Sequence, residues 1–107
     1  MRHDRLETMT GGWFVGDFTP SVLRTSDFEV SVKSYAKGQS EAAHLHRVAT
    51  EITVVVTGRV KMAGREWSAG DIVTLEPNEE TDFLALTDAL TVVVKTPSLT
   101  GDKYPTS

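Results

Sequence analysis

The sequence predicts an all-β domain, and three observations support this class. Short runs rich in valine, threonine and aromatic residues recur along the chain. Glycine-containing turns separate these runs, as they do in proteins built from short strands. The three- and four-residue spacing of apolar side chains that marks an amphipathic helix is hard to find. Seven or eight such strands indicate a sandwich or a small barrel, because one open sheet of that size would leave edges exposed.

The first half of the chain contains the clearest strand patterns. Residues 28–35 alternate apolar and polar side chains almost perfectly, which predicts a strand with one buried face that ends at the turn 37–38. Residues 51–57 form a more continuous apolar run, as expected of a more deeply buried strand. A turn at 57–58 then leads into a strand over 59–62.

The second half continues with short strands and tight turns. Ala63 and Gly64 predict a two-residue hairpin, and Trp67 precedes the next turn. The further predicted strands are residues 72–75, 82–86 and 90–95, and the turns lie at 69–71, 76–77 and 87–88.

The length of 107 residues suffices for one hydrophobic core but not for two. We therefore predict a single domain over residues 11–97. The ends, residues 1–10 and 98–107, are polar, and we expect them to be ordered only where they dock on the domain.

Composition narrows the cellular setting and the partners. No apolar run approaches the roughly 20 residues that span a bilayer, and the charged N-terminus lacks a secretory signal, so we expect a cytoplasmic protein. The chain has no cysteine, which excludes disulfides and thiolate metal sites. A net charge of −4 without a basic cluster argues against nucleic acid or a membrane as partner. We expect small-molecule ligands and other proteins instead.

Two of the three histidines, His44 and His46, lie one residue apart. On a strand their rings would point to the same side, where both could bind one ion. Glu51 follows after a short connection and could return to that side from the next strand, completing a nitrogen and oxygen ligand set. The alternative is that the histidines are polar loop residues and Glu51 begins a solvated strand.

Glycines on both sides of this group favour the metal-binding interpretation. Gly38, His44, His46, Glu51 and Gly58 match the first sequence motif of the cupin superfamily in residue type and spacing. Five fixed positions should coincide by chance on the order of once in 10⁵ chains of this length. The chain therefore resembles a cupin, and the resemblance implies that the two histidines and Glu51 bind a metal.

The second cupin motif is only partly present. Gly70 to Pro77 resembles its beginning, but the interval is one residue longer than usual. The family then has a glycine two residues after the proline and a histidine three residues later, where this chain has Glu79 and Asp82. Asp82 thus stands in the place of the third histidine ligand. The alternative is that Asp82 caps a turn before Phe83.

The resemblance implies a divalent metal bound by His44, His46, Glu51 and Asp82. Two histidines with two carboxylates favour manganese, iron(II) or zinc over copper. The implied fold is a cupin-type antiparallel jelly-roll β-barrel of six to eight strands, whose mouth holds the metal and a small molecule, and the usual assembly is a homodimer. Residues 13–18 and 95–104 also look like small single-domain cupins. We expect the aromatic residues of this group, Trp13, Phe14 and Phe18, to pack at the barrel rim or in a dimer.

Three functions fit these features. The first is an enzyme of carbohydrate or related metabolism that isomerises, epimerises or oxygenates a small oxygen-rich metabolite, sugar-like or carboxylate, with Glu79 or Asp82 as proton carrier. The second is a non-catalytic cupin that binds a sugar or metabolite as a sensor or accessory protein. The third is a metal-free barrel in which His44 and His46 act as acid and base. In the epimerases that share the fold, a tyrosine lies opposite the catalytic histidine.

Overall fold

A computed structural model, which describes residues 1–106, is a sandwich of two five-stranded antiparallel sheets. A short 3₁₀ helix, Leu6–Thr8, precedes ten strands: β1 Trp13–Val15, β2 Glu29–Tyr35, β3 Ser40–Leu45, β4 Thr50–Thr57, β5 Arg59–Met62, β6 Arg65–Ser68, β7 Ile72–Leu75, β8 Thr81–Ala85, β9 Ala89–Thr96 and β10 Tyr104–Pro105. One sheet has the order β1-β2-β9-β4-β7 and the other β10-β3-β8-β5-β6. This architecture confirms the predicted all-β jelly roll. Within residues 1–106, no helix has the length and apolarity needed to cross a membrane.

The strands follow the alternation and turn signals of the sequence. β5 and β6 form the predicted hairpin, in which Met62 pairs with Arg65. Both turn residues, Ala63 and Gly64, have positive φ angles of 51° and 75°, which match the right-handed twist of the flanking strands. Two strands, β1 and β10, add to the predicted set, and β3 contains His44 as expected but ends at Leu45, one residue before His46.

The inward face of β2 is polar. Glu29 and Ser31 are buried, whereas Val30 and Val32 lie on the opposite, outer face and are only half-buried. The alternation thus predicts the strand correctly, but its valines do not face the interior. The reason is that the inner face of this strand lines a cavity, to which Glu29, Lys33 and Tyr35 contribute.

The apolar core closes the other end of the sandwich. Along β4, the inward side chains change from Glu51 through Thr53, which both line the cavity, to Val55, which is fully buried in the core. The buried core residues come from both sheets: Val55, Val60, Met62, Val73, Leu75, Phe83, Ala85 and Ala89. One end is therefore built for stability, and the other end is available for a ligand.

The C-terminal segment docks on the sandwich. β10 pairs with β3, so that Tyr104 lies opposite Leu45 and Pro105 opposite His44. Asp102, just before β10, is only 5% exposed. At the other end of the chain, Thr10 forms an isolated bridge with Trp13. The sheets thus extend beyond the predicted domain range of 11–97.

The outer faces of the two sheets differ in polarity. Two cross-strand rows on the outer face of the β1-β2-β9-β4-β7 sheet are almost entirely apolar: Val30, Val94, Ile52 and Thr74 in one row, and Val32, Val92, Val54 and Ile72 in the other. Ile72 is 63% exposed. On the outer face of the other sheet, Arg59 and Lys61 are exposed.

Candidate metal centre

Three predicted ligands converge at the polar end of the sandwich. His44 lies in β3, His46 directly after it, and Glu51 in β4. Their ligand atoms all lie within 4.8 Å of one another. Within residues 1–106, these two histidines and one carboxylate form a group that could hold a metal ion. Both histidines are 6% exposed. The structure therefore brings these three residues together as the first motif predicts.

Backbone carbonyls orient both imidazole rings. Nδ1 of His44 lies 2.9 Å from the carbonyl oxygen of Ala42, so the hydrogen-bond network assigns the proton to Nδ1. Nδ1 of His46 donates in the same way to the carbonyl oxygen of Asp102. In both rings Nε2 is free of these backbone contacts, and Nε2 of His46 faces Glu51. Histidines that bind metals are held in this manner by their second nitrogen.

The His46 ring also contacts Glu51, with 2.9 Å between Nε2 and Oε2. The hydrogen bond to Glu51 raises the pKa of His46, although burial opposes this. Burial by itself would raise the pKa of Glu51, but the hydrogen bond and charge of His46, with the charge of Lys95, outweigh it and lower that pKa. Nε2 of His46 can bind either a proton or a divalent cation, so the two compete for this atom.

These three residues could hold a divalent metal, because their ligand atoms lie within 4.8 Å of one another. A set of two histidines and one carboxylate suits iron(II), manganese or zinc and leaves coordination positions open toward the cavity.

Asp82 lies outside this group. Asp82 is exposed and lines the same cavity, whereas its strand neighbours Thr81 and Phe83 are buried. Thr81 pairs directly with His44. Its hydroxyl accepts the N–H of Ala63 at 3.0 Å and donates to the carbonyl of Asp82 at 2.6 Å.

The longer interval in the second motif explains this placement. Counted from Gly70 instead of Pro77, the family's histidine position falls on Thr81, which is the residue across from His44. A shift of one residue on a strand moves a side chain to the other face. Glu79 is also exposed and does not line the cavity. Its carboxylate accepts the N–H of Glu76 at 3.2 Å.

The cavity next to the three ligands has a volume of about 380 Å³. Two ion pairs lie in its wall: Lys95 with Glu29 at 3.0 Å, and Lys33 with Glu41 at 3.7 Å. The hydroxyl of Tyr35 donates to Glu41 at 3.2 Å. Burial, together with the charge of Glu41, raises the pKa of Tyr35, so this phenol stays protonated.

Aromatic residues from the N-terminal part complete the cavity. The ammonium groups of Lys33 and Lys95 each lie 5.1 Å from the ring centroid of Trp13. Trp13 packs edge-on against Phe18, and both line the cavity. Phe14 is half-buried and is not among the lining residues. Trp13 and Phe18 thus pack against each other and face the cavity, and their packing at a rim or in a dimer stays a prediction.

Sequence reasoning missed the residue that supports the connection between the ligand strands. The carboxylate of Asp102 accepts the backbone N–H groups of Arg47 and Ala49 at 2.9 Å each and of Val48 at 3.2 Å. Burial would raise the pKa of Asp102, but these three hydrogen bonds outweigh it and lower that pKa. No local pattern indicates a partner 56 residues from His46, so this contact could not be predicted.

Comparison with known proteins supports the fold. No family model matches the chain, and no curated protein sequence matches it. A conserved protein from Klebsiella pneumoniae with a double-stranded β-helix domain is 26% identical, with a TM-score of 0.68 over 75% of this chain and 71% of the other. KdgF from Halomonas is 25% identical, with a TM-score of 0.64 over 71% and 74% of the two chains.

A sugar phosphate isomerase of the cupin superfamily from Silicibacter pomeroyi has the same fold, at 21% identity and a TM-score of 0.62 over 66% of this chain and 51% of the other. The two five-stranded antiparallel sheets of this chain agree with this fold. The chain is a member of the cupin superfamily.

Proposed function

We propose that this cupin binds a divalent metal through His44, His46 and Glu51 and acts as an enzyme on a small oxygen-rich metabolite. The convergence of three buried or half-buried ligand groups at one wall of a polar cavity is the observation that carries this proposal. A bound divalent ion would polarise a carbonyl or hydroxyl group and stabilise negative charge on its oxygen. Isomerisation or epimerisation of a sugar-like or carboxylate substrate, and oxygenation, are the reactions that we propose.

The cavity wall supports an oxygen-rich ligand. Lys33 and Lys95 can donate hydrogen bonds, while Glu29 and Glu41 can accept them. The indole of Trp13 offers an apolar surface between these charges, on which the carbon skeleton of a small ligand can rest. Such a mixture of donors, acceptors and aromatic surfaces suits a hydroxylated molecule better than a hydrocarbon.

The proton carrier of the proposed reaction must reach the cavity. Asp82 lines the rim, so we keep it as a candidate for this role. Glu79 has no contact with the cavity, and Glu41 is better placed because it lines the cavity and accepts the hydroxyl of Tyr35. Tyr35, with its raised pKa, can donate a hydrogen bond to a ligand oxygen but does not act as a base. The proposed metal site does not include Asp82, and metal binding by an Asp82 variant tests whether this residue is a fourth ligand.

We also propose that the protein forms a homodimer through the outer face of the β1-β2-β9-β4-β7 sheet. This face carries two apolar rows, and Val56 and Ile72 on it are 42% and 63% exposed. Contiguous apolar surface of this kind marks an interface, whereas the charged outer face of the other sheet does not. A cytoplasmic location and the absence of a nucleic-acid partner stay predictions.

Metal analysis tests the proposal. Untagged protein should contain close to one divalent ion per chain, and the double variant His44→Ala, His46→Ala should lose it. Variant Lys61→Ala, at an exposed position of the outer face of β5, is the matched control and should keep the metal. Less than about a tenth of an ion per chain, unchanged in the double variant, contradicts the proposal.

Turnover separates the two roles of a metal-binding cupin. If the metal is present, sugar-like and carboxylate metabolites should be converted at a rate that depends on it. Binding of such a metabolite without conversion would favour the sensor or accessory role over the enzyme.

A further inference from the structure

The connection between the two ligand strands has an unusual support. Residues 46–49 link His46 to β4, and three successive N–H groups of this link point to a single carboxylate, that of Asp102. Successive backbone N–H groups that converge in this way form a binding site for an anion. Here the anion belongs to the same chain and comes from the C-terminal segment.

The same residue holds a metal ligand directly. The carbonyl oxygen of Asp102 accepts the proton on Nδ1 of His46, which leaves Nε2 directed at Glu51. Asp102 therefore sets both the ring orientation of His46 and the backbone path from His46 to Glu51. Displacement of Asp102 would free the ring and the link together.

The segment that carries Asp102 is anchored on both sides of it. Before it, Ser98 donates its N–H to the carbonyl of Ser26 at 2.9 Å, and its Oγ accepts the N–H of Asp17 at 2.9 Å. After it, β10 pairs with β3, and the guanidinium of Arg47 lies 4.0 Å from the ring centroid of Tyr104. We call residues 98–105 the C-terminal strap.

The strap also forms part of the cavity wall. Leu99 and Lys103 both line the cavity next to the ligand group. One short segment thus contributes wall residues, orients a ligand and supports the link between the ligands. None of these contacts is local, because the strap lies more than 50 residues from His46.

From these contacts we infer that the C-terminal strap is a structural part of the metal site and that Asp102 is the positioning residue that sets metal affinity. This inference rests on the proposed metal site. Because coupling between two events is reciprocal, a bound metal must also stabilise the docked strap. Loss of a group that orients a ligating histidine lowers metal affinity about 10- to 100-fold in known sites.

Metal affinity of defined variants tests the inference. Zn²⁺ affinity, measured by competition with a chromophoric chelator, should fall at least about 10-fold in Asp102→Ala. Both variants at position 102 keep the main-chain carbonyl that contacts His46, so Asp102→Ala tests the carboxylate; Asp102→Asn keeps one side-chain acceptor oxygen and should recover part of the loss. Asp88→Asn is the matched control, because Asp88 also accepts one backbone N–H, from Lys37 at 2.8 Å, but far from the site. Its affinity should stay within about twofold of the wild type.

Hydrogen exchange on the wild-type protein gives a second test that needs no variant. Added Zn²⁺ should slow exchange of the amides of residues 47–49 and of the strap, and should leave the β5–β6 hairpin unchanged. An unchanged affinity in Asp102→Ala, or no slowing in the strap when Zn²⁺ binds, overturns the inference and leaves the proposed function intact. Absence of Zn²⁺ binding by the wild type itself overturns both.

Discussion

Gly58→Ala should destabilise the fold much more than Gly38→Ala, although the two glycines of the first motif have nearly the same backbone conformation. Their φ angles are +85° and +89°. A β-carbon in this left-handed region costs about 1–2 kcal/mol at either position. Space separates the two: a β-carbon on Gly38 would meet no atom within 4 Å, but one on Gly58 would lie 2.2 Å from the carbonyl oxygen of Asp88.

In Gly58→Ala the backbone of the β8–β9 turn would therefore have to move, because the added β-carbon would also lie 2.9 Å from Cα of Ala89. Overpacking of this kind costs about 1–3 kcal/mol more. We expect a loss of about 1–2 kcal/mol for Gly38→Ala and about 2–5 kcal/mol for Gly58→Ala. In a domain of this size, each kcal/mol lowers Tm by about 4–8 °C.

Thermal and urea unfolding, followed by far-ultraviolet circular dichroism, measure both losses under the same conditions. The conformational part is common to the two variants, so their difference reports the close approach at Gly58 alone. Equal losses of stability, or a larger loss for Gly38→Ala, would refute the reasoning that Gly58 is required for space as well as for its backbone conformation.

Three further predictions concern the cavity and the sheets. The pKa of Tyr35 is raised in the folded state, so the contribution of this residue to stability is complete below about pH 10 and is lost as pH rises further. The free energy of unfolding should therefore fall more steeply with rising alkaline pH in the wild type than in Tyr35→Phe. Equal slopes would contradict this prediction. Val92 lies in the middle of the apolar outer face, so Val92→Asp should give a monomer of 11.7 kDa by light scattering. The control Lys61→Asp, on the other sheet, should stay dimeric. A monomeric wild-type protein would refute the proposed interface. In chelator competition, Asp82→Asn should bind the metal as tightly as the wild type, and Glu51→Gln should bind it at least about 10-fold more weakly. Weaker binding by Asp82→Asn than by Glu51→Gln would make Asp82 the ligand.

Local signals predicted most of the strands and the ligand group. The hairpin at Ala63 and Gly64 depends on residues adjacent in sequence, and His44, His46 and Glu51 lie close enough along the chain for strand geometry and one short connection to bring them together. Predictions of this kind succeed because period-two geometry and turn chemistry act over a few residues.

Three features could not be predicted, for different physical reasons. Strand parity identifies two faces of β2 but not which one is inside, and the inner face proved to be polar because a cavity lies there. At β8 an additional residue in the preceding turn reversed the faces, so that Thr81 lies opposite His44 where Asp82 was expected. The support of His46 by Asp102 is a long-range contact without any sequence pattern.

Anomalous diffraction from a crystal of the untagged protein, recorded on both sides of the absorption edge of the metal found by elemental analysis, tests the central claim most directly. The account predicts one anomalous peak about 2.0–2.2 Å from Nε2 of His44, Nε2 of His46 and a carboxylate oxygen of Glu51. A peak elsewhere, or no peak in protein that was saturated with the metal, would contradict it.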